Sequence, residues 1–316
     1  ALARPLALGE TNAMSKCRFR LSFVSALLVL AYGSNGALAQ PADFLDDYYE
    51  NRLKPAEFKR TIKDLNTQVE KAPQDFNLRM KRGYVQAFAR HWEAALGDFT
   101  AANKISPSRY EPIRAQAWLM ASMNRLKNAL ALYNQAIEMA PKNGKLYFER
   151  GLVQANIPNF QASIEDSDKA IALGYKERNV YIQKAKSTFY EGDAEKAVKI
   201  LDSIPGGKQP QKREYDLKTD FLLVLGRYDE ALKTAEKRLA IPPANVGALL
   251  KVAECQIKLK RYKEALANLT KAIALHPTTA DPFIRRAAVY RKLGMNSQAE
   301  ADQKMVEKIN SNRHDL

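Results

Sequence analysis

The sequence predicts an all-α protein in which helix hairpins repeat along the chain and stack on one another. Two observations support this prediction. Over residues 246–279, apolar residues are spaced three and four positions apart, which places them on one stripe of each of two helices. Small residues also recur every 34 positions after residue 41, with no insertion between the copies. One hairpin cannot cover its own apolar stripes, so each copy needs a neighbour.

The hairpin at 246–279 shows how each copy is built. Its first helix places the small residue Ala253 where a second helix can approach closely. A turn is expected at 260–261, and a second helix is predicted from Tyr262 to a stop at Pro277. Proline ends a helix because it lacks the amide donor and clashes with the preceding turn.

The same positions recur in strict register through the chain. The positions equivalent to Ala253 are all small, and they are Gly83, Ala117, Gly151, Ala185, Thr219 and Ala287. The positions equivalent to Ala265 are also small or short, and they are Thr61, Ala95, Ala129, Ser163, Ala197, Ala231 and Ala299. The eight copies begin at residues 42, 76, 110, 144, 178, 212, 246 and 280.

This pattern of small residues, an aromatic residue and a terminal proline over 34 residues resembles the tetratricopeptide repeat (TPR). The resemblance covers about residues 42–313. It implies an α-solenoid of about eight TPR helix hairpins, a right-handed superhelix whose first helices line a concave groove. A fold does not specify a ligand, so the partner has to be argued from individual residues.

A leader is predicted over residues 1–39, with a 13-residue extension before a secretory signal peptide at 14–39. A basic patch at 16–20 precedes an apolar run at 21–30, and small residues precede an expected cleavage after Ala39. We therefore expect export to the periplasm or the exterior. A retained transmembrane anchor is the alternative, although the apolar run is shorter than the roughly 20 residues that a spanning helix needs.

The copies differ in quality along the chain. Residues 40–75 are predicted to form a degenerate N-terminal capping repeat, because their start is acidic and aromatic. The array proper is predicted over 76–313, followed by a tail at 314–316. Prolines and glycines at 205–211 predict a short loop in place of the end of a second helix, with a local change in superhelix curvature.

Two further features of the array follow from its sequence. Glycines just past three first helices are expected to adopt a left-handed backbone that ends each helix, and they are Gly192, Gly226 and Gly294. The last copy has a polar second helix, predicted from Gln298 to Asn310, which is expected to cap the array.

The residue types needed for catalysis do not converge in the sequence. The histidines His91, His276 and His314 are far apart, and metal-protease, phosphate-loop and serine-hydrolase motifs are missing. Cys255 lies on the predicted buried stripe, which indicates an inert thiol. We therefore expect no enzyme activity, no cofactor, no metal and no small-molecule substrate.

The predicted binding site is the concave groove. In the family, the second, fifth, ninth, twelfth and thirteenth positions of each repeat tend to face this side. At those positions the chain places Tyr84, Phe88, Arg114, Trp118, Lys145, Phe148, Asn179, Lys186, Phe189 and Tyr190. Further along, the rings give way to cations at Lys258, Arg291 and Lys292. The alternative interpretation is that several of these rings only pack between copies.

The sequence therefore predicts a non-catalytic exported scaffold that binds a protein or peptide segment in the concave groove. Aromatic residues offer contact area and cations grip carboxylates, so the expected segment carries acidic and apolar side chains. The net charge of +15 keeps a second hypothesis open, in which a basic surface binds an anionic envelope polymer or membrane. Nucleic acid is disfavoured because of the leader, and membrane contact is expected to be peripheral at most.

Overall fold

The computed structural model describes residues 55–205, 211–242 and 245–314. The predicted leader and the start of the capping repeat lie outside the described residues. The described residues form fifteen α-helices and no strand, so the all-α prediction is confirmed. None of these helices is both long enough and apolar enough to serve as a membrane span.

The helices follow one another with short connections. Their bounds are α1 Pro55–Lys71, α2 Phe76–Phe88, α3 Trp92–Ile105, α4 Glu111–Ser122, α5 Leu126–Met139, α6 Gly144–Asn156, α7 Phe160–Ala172, α8 Arg178–Tyr190, α9 Ala194–Asp202, α10 Lys212–Val224, α11 Tyr228–Leu239, α12 Val246–Lys258, α13 Tyr262–Leu275, α14 Ala280–Lys292 and α15 Asn296–His314. From α2 onward the even-numbered helices are the first helices of hairpins and the odd-numbered helices are the second.

The packing divides the chain into two compact units, separated after Ala140. In the first unit, each helix from α1 to α5 packs on the next. In the second unit, each helix from α6 to α15 packs on the next, and the first helices α6, α8, α10 and α12 also contact one another in sequence. The division after Ala140 was not predicted from the sequence, which placed one array over 76–313.

The predicted register matches the observed helix starts. The seven first helices begin at Phe76, Glu111, Gly144, Arg178, Lys212, Val246 and Ala280, each within one residue of a predicted copy start. Side chains fix several of these starts by accepting a hydrogen bond from the first turn. Asp75 accepts from the Leu78 amide at 2.9 Å, and Asn245 accepts from the Ala248 amide at 2.8 Å.

Small residues allow the two helices of a hairpin to approach closely, as the sequence predicts. A Cβ atom added at Gly83 would lie 2.6 Å from the Phe99 ring, and one at Gly151 would lie 3.1 Å from Cβ of Asp166. Ala95 on the facing helix is fully buried. The hairpins of α2 with α3 and of α6 with α7 therefore depend on the small side-chain volume at Gly83 and Gly151.

The turn after each first helix uses a left-handed backbone residue. The predicted glycines are confirmed, with φ of 103° at Gly192, 74° at Gly226 and 72° at Gly294. In other copies the same register position holds Arg90, Asn124 and Lys260, with φ of 62°, 58° and 60°. These three residues were not recognised from the sequence, because positive φ is unusual outside glycine.

The predicted interruption near residue 205 is visible as a short second helix. Helix α9 has 9 residues, whereas α11 and α13 have 12 and 14. It ends at Asp202, just before Pro205, and residues 206–210 lie outside the described residues. The change in superhelix curvature stays a prediction. The polar last helix, α15, extends beyond its predicted bounds at both ends.

Buried ion pairs join the two helices of several hairpins. Arg150 contacts Asp166, 16 residues later, at 2.7 Å, and the Asp166 side chain is 6% exposed. Arg82 and Asp98 form the same pair in α2 and α3, as do Arg286 and Asp302 in α14 and α15. Burial raises the pKa of Asp166, although the hydrogen bond from Arg150 opposes that shift.

Candidate binding surface on the first helices

The predicted groove residues of the first unit form an aromatic cluster between hairpins. The ring of Tyr84 lies 6.1 Å from that of Trp118, and the ring of Phe88 lies 5.9 Å from it. Trp118 is only 5% exposed, and Tyr84 also contacts Phe99 at 5.1 Å. These rings therefore contribute mainly to the packing of α2, α3 and α4.

Arg114, the predicted groove cation of this unit, is half-buried on α4 near the start of the helix. The hydrogen bond from Arg109 lowers the pKa of Glu111, and the charge of Arg114 adds a smaller contribution in the same direction. Arg114 thus already lies in the field of a neighbouring carboxylate. Its role as a contact for a ligand stays a prediction.

Most predicted rings of the second unit are also packed. Phe148 is 4% exposed and its ring lies 5.7 Å from that of Tyr175. Phe189 stacks on Phe221 with ring centroids 4.3 Å apart, which joins α8 to α10. The polar residues predicted beside them, Lys145, Asn179 and Lys186, are half-buried.

Tyr190 differs from the other predicted rings because it is 46% exposed. One face of its ring stacks on Phe160 at 5.0 Å, which holds the side chain in place. Val224 occupies the equivalent position of the next first helix and is 51% exposed. Val224 was not predicted, although a step of 34 residues from Tyr190 would have found it.

Two lysines extend this pair into a row. Lys258 and Lys292 occupy the same register position on α12 and α14, and both are exposed. Tyr190, Val224, Lys258 and Lys292 are the last residues of their four consecutive first helices. We call these four residues the helix-end row. Helix α8 contacts α10, helix α10 contacts α12, and an ion pair between Arg285 and Glu254 at 3.2 Å joins α12 to α14.

The charged groups deeper on the same first helices are paired. Lys251 of α12 contacts Asp220 of α10, and Arg238 of α11 contacts Asp216 of α10 at 3.2 Å. Burial lowers the pKa of Lys251, as expected for a desolvated ammonium group. Lys251 and Arg238 are therefore neutralised by carboxylates within the protein. The cations at the helix ends, Lys258 and Lys292, are exposed to solvent.

Within the described part of the chain, no group of three or more His, Cys, Asp or Glu side chains could hold a metal ion. The predicted burial of Cys255 is confirmed at 0% exposure, and burial raises the pKa of its thiol to about 12. The helix-end row itself presents exposed apolar side chains and exposed lysines.

Sequence comparisons match two parts of the chain. Residues 114–175 match the family model described as tetratricopeptide repeat, and residues 217–272 match one described as anaphase-promoting complex, cyclosome, subunit 3. The human tetratricopeptide repeat protein 16 is 24% identical over 158 residues. That match covers 46% of this chain and 18% of the human protein, so the chain spans less than a fifth of this relative.

Solved structures agree with the fold. A tetratricopeptide repeat protein from Parabacteroides merdae ATCC 43184 has a TM-score of 0.55 at 16% identity, covering 74% of this chain and 93% of its own. Yeast Tom70 has a TM-score of 0.54 at 17% identity, covering 82% and 60%. The APC/C hetero-tetramer Cut9–Hcn1 has a TM-score of 0.54 at 14% identity, covering 96% and 58%. The fold class is therefore an all-α solenoid of tetratricopeptide-repeat hairpins.

Proposed function

We propose that this protein is a non-catalytic scaffold that binds a segment of another protein on the surface formed by its first helices. The fold supports this proposal, because stacked hairpins leave their first helices as an extended binding surface. Similar structures support it too, since one of them is a hetero-tetramer of Cut9 with Hcn1.

The observation that carries the proposal is the exposure of Tyr190 and Val224 on adjacent first helices. The other apolar residues of these helices are buried or half-buried, whereas these two are about half exposed. Neighbouring exposed apolar side chains mark binding surfaces, and aromatic anchors contribute strongly there. Because Tyr190 is stacked on Phe160, its ring is already ordered before a partner arrives.

The test replaces both apolar side chains and compares the result with a control. In Tyr190→Ala/Val224→Ala, partners captured from the exported fraction of the source cells should be lost. Leu275→Ala is the control, because Leu275 is 50% exposed on a second helix, α13. The bound proteins are quantified by mass spectrometry, and circular dichroism checks that the helices are kept. Retention of every partner by the double variant would contradict the assignment of this surface.

We further propose that the protein works in an exported compartment, on the basis of the basic and apolar segments before residue 40. N-terminal sequencing of protein recovered from the periplasm or the medium should find Gln40 as the first residue. A mature chain that starts at Ala1 or Met14 in that fraction would show that the leader is not cleaved as proposed.

A further inference from the structure

We propose that the helix-end row binds an extended segment that carries an apolar residue at one end and acidic residues toward the other. The inference rests on the proposed function, because it names the chemistry of the segment that the first helices bind. The apolar residue would lie on Tyr190 and Val224. The acidic residues would lie on Lys258 and Lys292.

The spacing of the row fits an extended chain. Packed helices lie about 8–10 Å apart, and an extended chain advances about 3.3 Å per residue. Neighbouring row positions would therefore contact side chains about three residues apart in the bound segment. The three steps from Tyr190 to Lys292 correspond to about ten residues, which is long enough to distinguish the two ends of the segment.

The charge of the row is unbalanced at one end only. Lys258, Lys292 and the adjacent Arg291 are exposed, and none of them has an ion-pair partner among the described residues. Other cations of the same first helices are paired within the protein, including Arg178 with Glu214 and Lys251 with Asp220. A carboxylate of a partner would complement the unpaired end.

The helix dipole alone does not account for this arrangement. A cation at the C-terminus of a helix is favoured by the dipole, so Lys258 and Lys292 could be explained singly. The dipole gives no reason for Tyr190 and Val224 to be exposed at the equivalent ends of α8 and α10. An anionic polymer would use the cations and leave both apolar side chains uncovered. A segment with one apolar and one acidic end uses all four.

The experiment measures the binding of defined peptides to the full chain by fluorescence anisotropy. The fluorescent probes are twelve-residue peptides with Phe and Leu at one end and three Glu at the other, in both directions along the chain. Matched probes replace Glu by Lys. We expect one direction of the apolar–acidic probe to bind about tenfold more tightly than its lysine counterpart, since each exposed ion pair contributes modestly.

Reversing the charge of the row lysines then tests whether the acidic end of the peptide binds there. Lys258→Glu/Lys292→Glu should reverse the preference between the glutamate and lysine probes. Lys237→Glu/Lys271→Glu changes the net charge by the same amount on exposed positions of the second helices α11 and α13, and it should leave the preference unchanged. Added salt should weaken the acidic contribution and spare the apolar contribution.

Each other outcome overturns a defined part of the proposal. In one such outcome, Lys258→Glu/Lys292→Glu keeps the preference for the glutamate probe while Tyr190→Ala/Val224→Ala abolishes binding. That result would mean that acidic residues do not bind at the two lysines, and the proposed function would stand. If polyglutamate or phosphatidylglycerol vesicles bind as tightly as the probe, and both charge variants weaken binding equally, the surface is a general anion binder. If no probe of either sign binds, the inference and this choice of binding surface both fail.

Discussion

At the scale of single residues, burial determines the chemistry of Cys255. The thiol is fully buried, and its pKa of about 12 leaves about a thousandfold less thiolate at neutral pH than an ordinary cysteine has. In the chain from residue 40 it is the single cysteine. At pH 8, we expect a disulfide reagent to modify Cys255 in the native protein about a hundredfold more slowly than in the urea-unfolded protein.

The same thiol makes a contribution to stability that depends on pH. Because the folded pKa lies above the unfolded value, the contribution is complete below about pH 9 and is lost as the pH rises toward about 12. The free energy of unfolding, measured with urea, should therefore fall more between pH 8 and pH 10.5 for the wild type than for Cys255→Ala. Equal losses, or fast modification of the native thiol, would show that the site is open to water.

Two glycines with open space around them should respond oppositely to alanine. A Cβ atom at Gly226 or at Gly97 would meet nothing within 4 Å. Gly226 has φ of 74°, so Gly226→Ala should lower the free energy of unfolding by about 1–2 kcal/mol. Gly97 lies inside helix α3, so Gly97→Ala should raise it by roughly 0.5–1 kcal/mol. Chemical denaturation checks both signs, and a stabilising Gly226→Ala would contradict the role of the turn.

The residue scale also shows which features the sequence could predict. The small residues at Gly83 and Gly151 were predictable, because close helix packing requires missing volume at a fixed interval. The partners of Arg82 and Arg150 were not, since a lone arginine in a sequence suggests a solvated surface. Only the fold shows that an aspartate 16 residues later lies buried on the facing helix.

At the scale of helices, these arginine–aspartate pairs stabilise a hairpin in a way that depends on pH. Arg150→Met should lower the free energy of unfolding by about 3 kcal/mol at pH 7, because it leaves the buried Asp166 without a cation. Burial already raises the pKa of Asp166, and loss of Arg150 removes the interaction that opposes this shift. The buried carboxyl group is tolerated once it is protonated, so the cost should shrink as the pH falls toward 4.

Urea unfolding at pH 7 and pH 4 checks this prediction, with Arg261→Met as the control. The pair of Arg261 with Asp229 is exposed on both sides, at 47% and 69%, so its loss should cost less than about 1 kcal/mol. A cost for Arg150→Met that grows on acidification would mean that Asp166 is stabilised as a carboxylate by other groups.

The candidate site was less predictable than the helices that carry it. Family positions assigned these residues to one face of the first helices, but a ring on that face can either pack on the next hairpin or be exposed to solvent. Phe189 and Tyr190 are adjacent in sequence, yet Phe189 stacks on Phe221 while Tyr190 is exposed. The difference depends on which neighbouring helix each ring contacts, and the amino-acid sequence alone does not show that contact.

At the scale of the whole chain, the two compact units each hold their own core. In the first unit, Phe99, Ala102 and Leu119 are fully buried with the aromatic cluster around Trp118. In the second, α8 to α12 share a core around Phe221 and Leu222. The register of 34 residues runs unbroken through residue 140, so the repeat pattern alone gives no sign of the division.

Because the whole helix-end row lies after Ala140, residues 141–316 should keep its binding preference when they are produced alone. The fragment contains helices α6 to α15, in which every helix packs on the next, and repeat arrays are stabilised by contacts between neighbouring repeats. We expect a cooperative thermal transition by circular dichroism, and an affinity for the apolar–acidic probe within about threefold of the full chain. A folded fragment that has lost the preference would place part of the binding surface in the first unit. An unfolded fragment would show that the second unit depends on the residues before it.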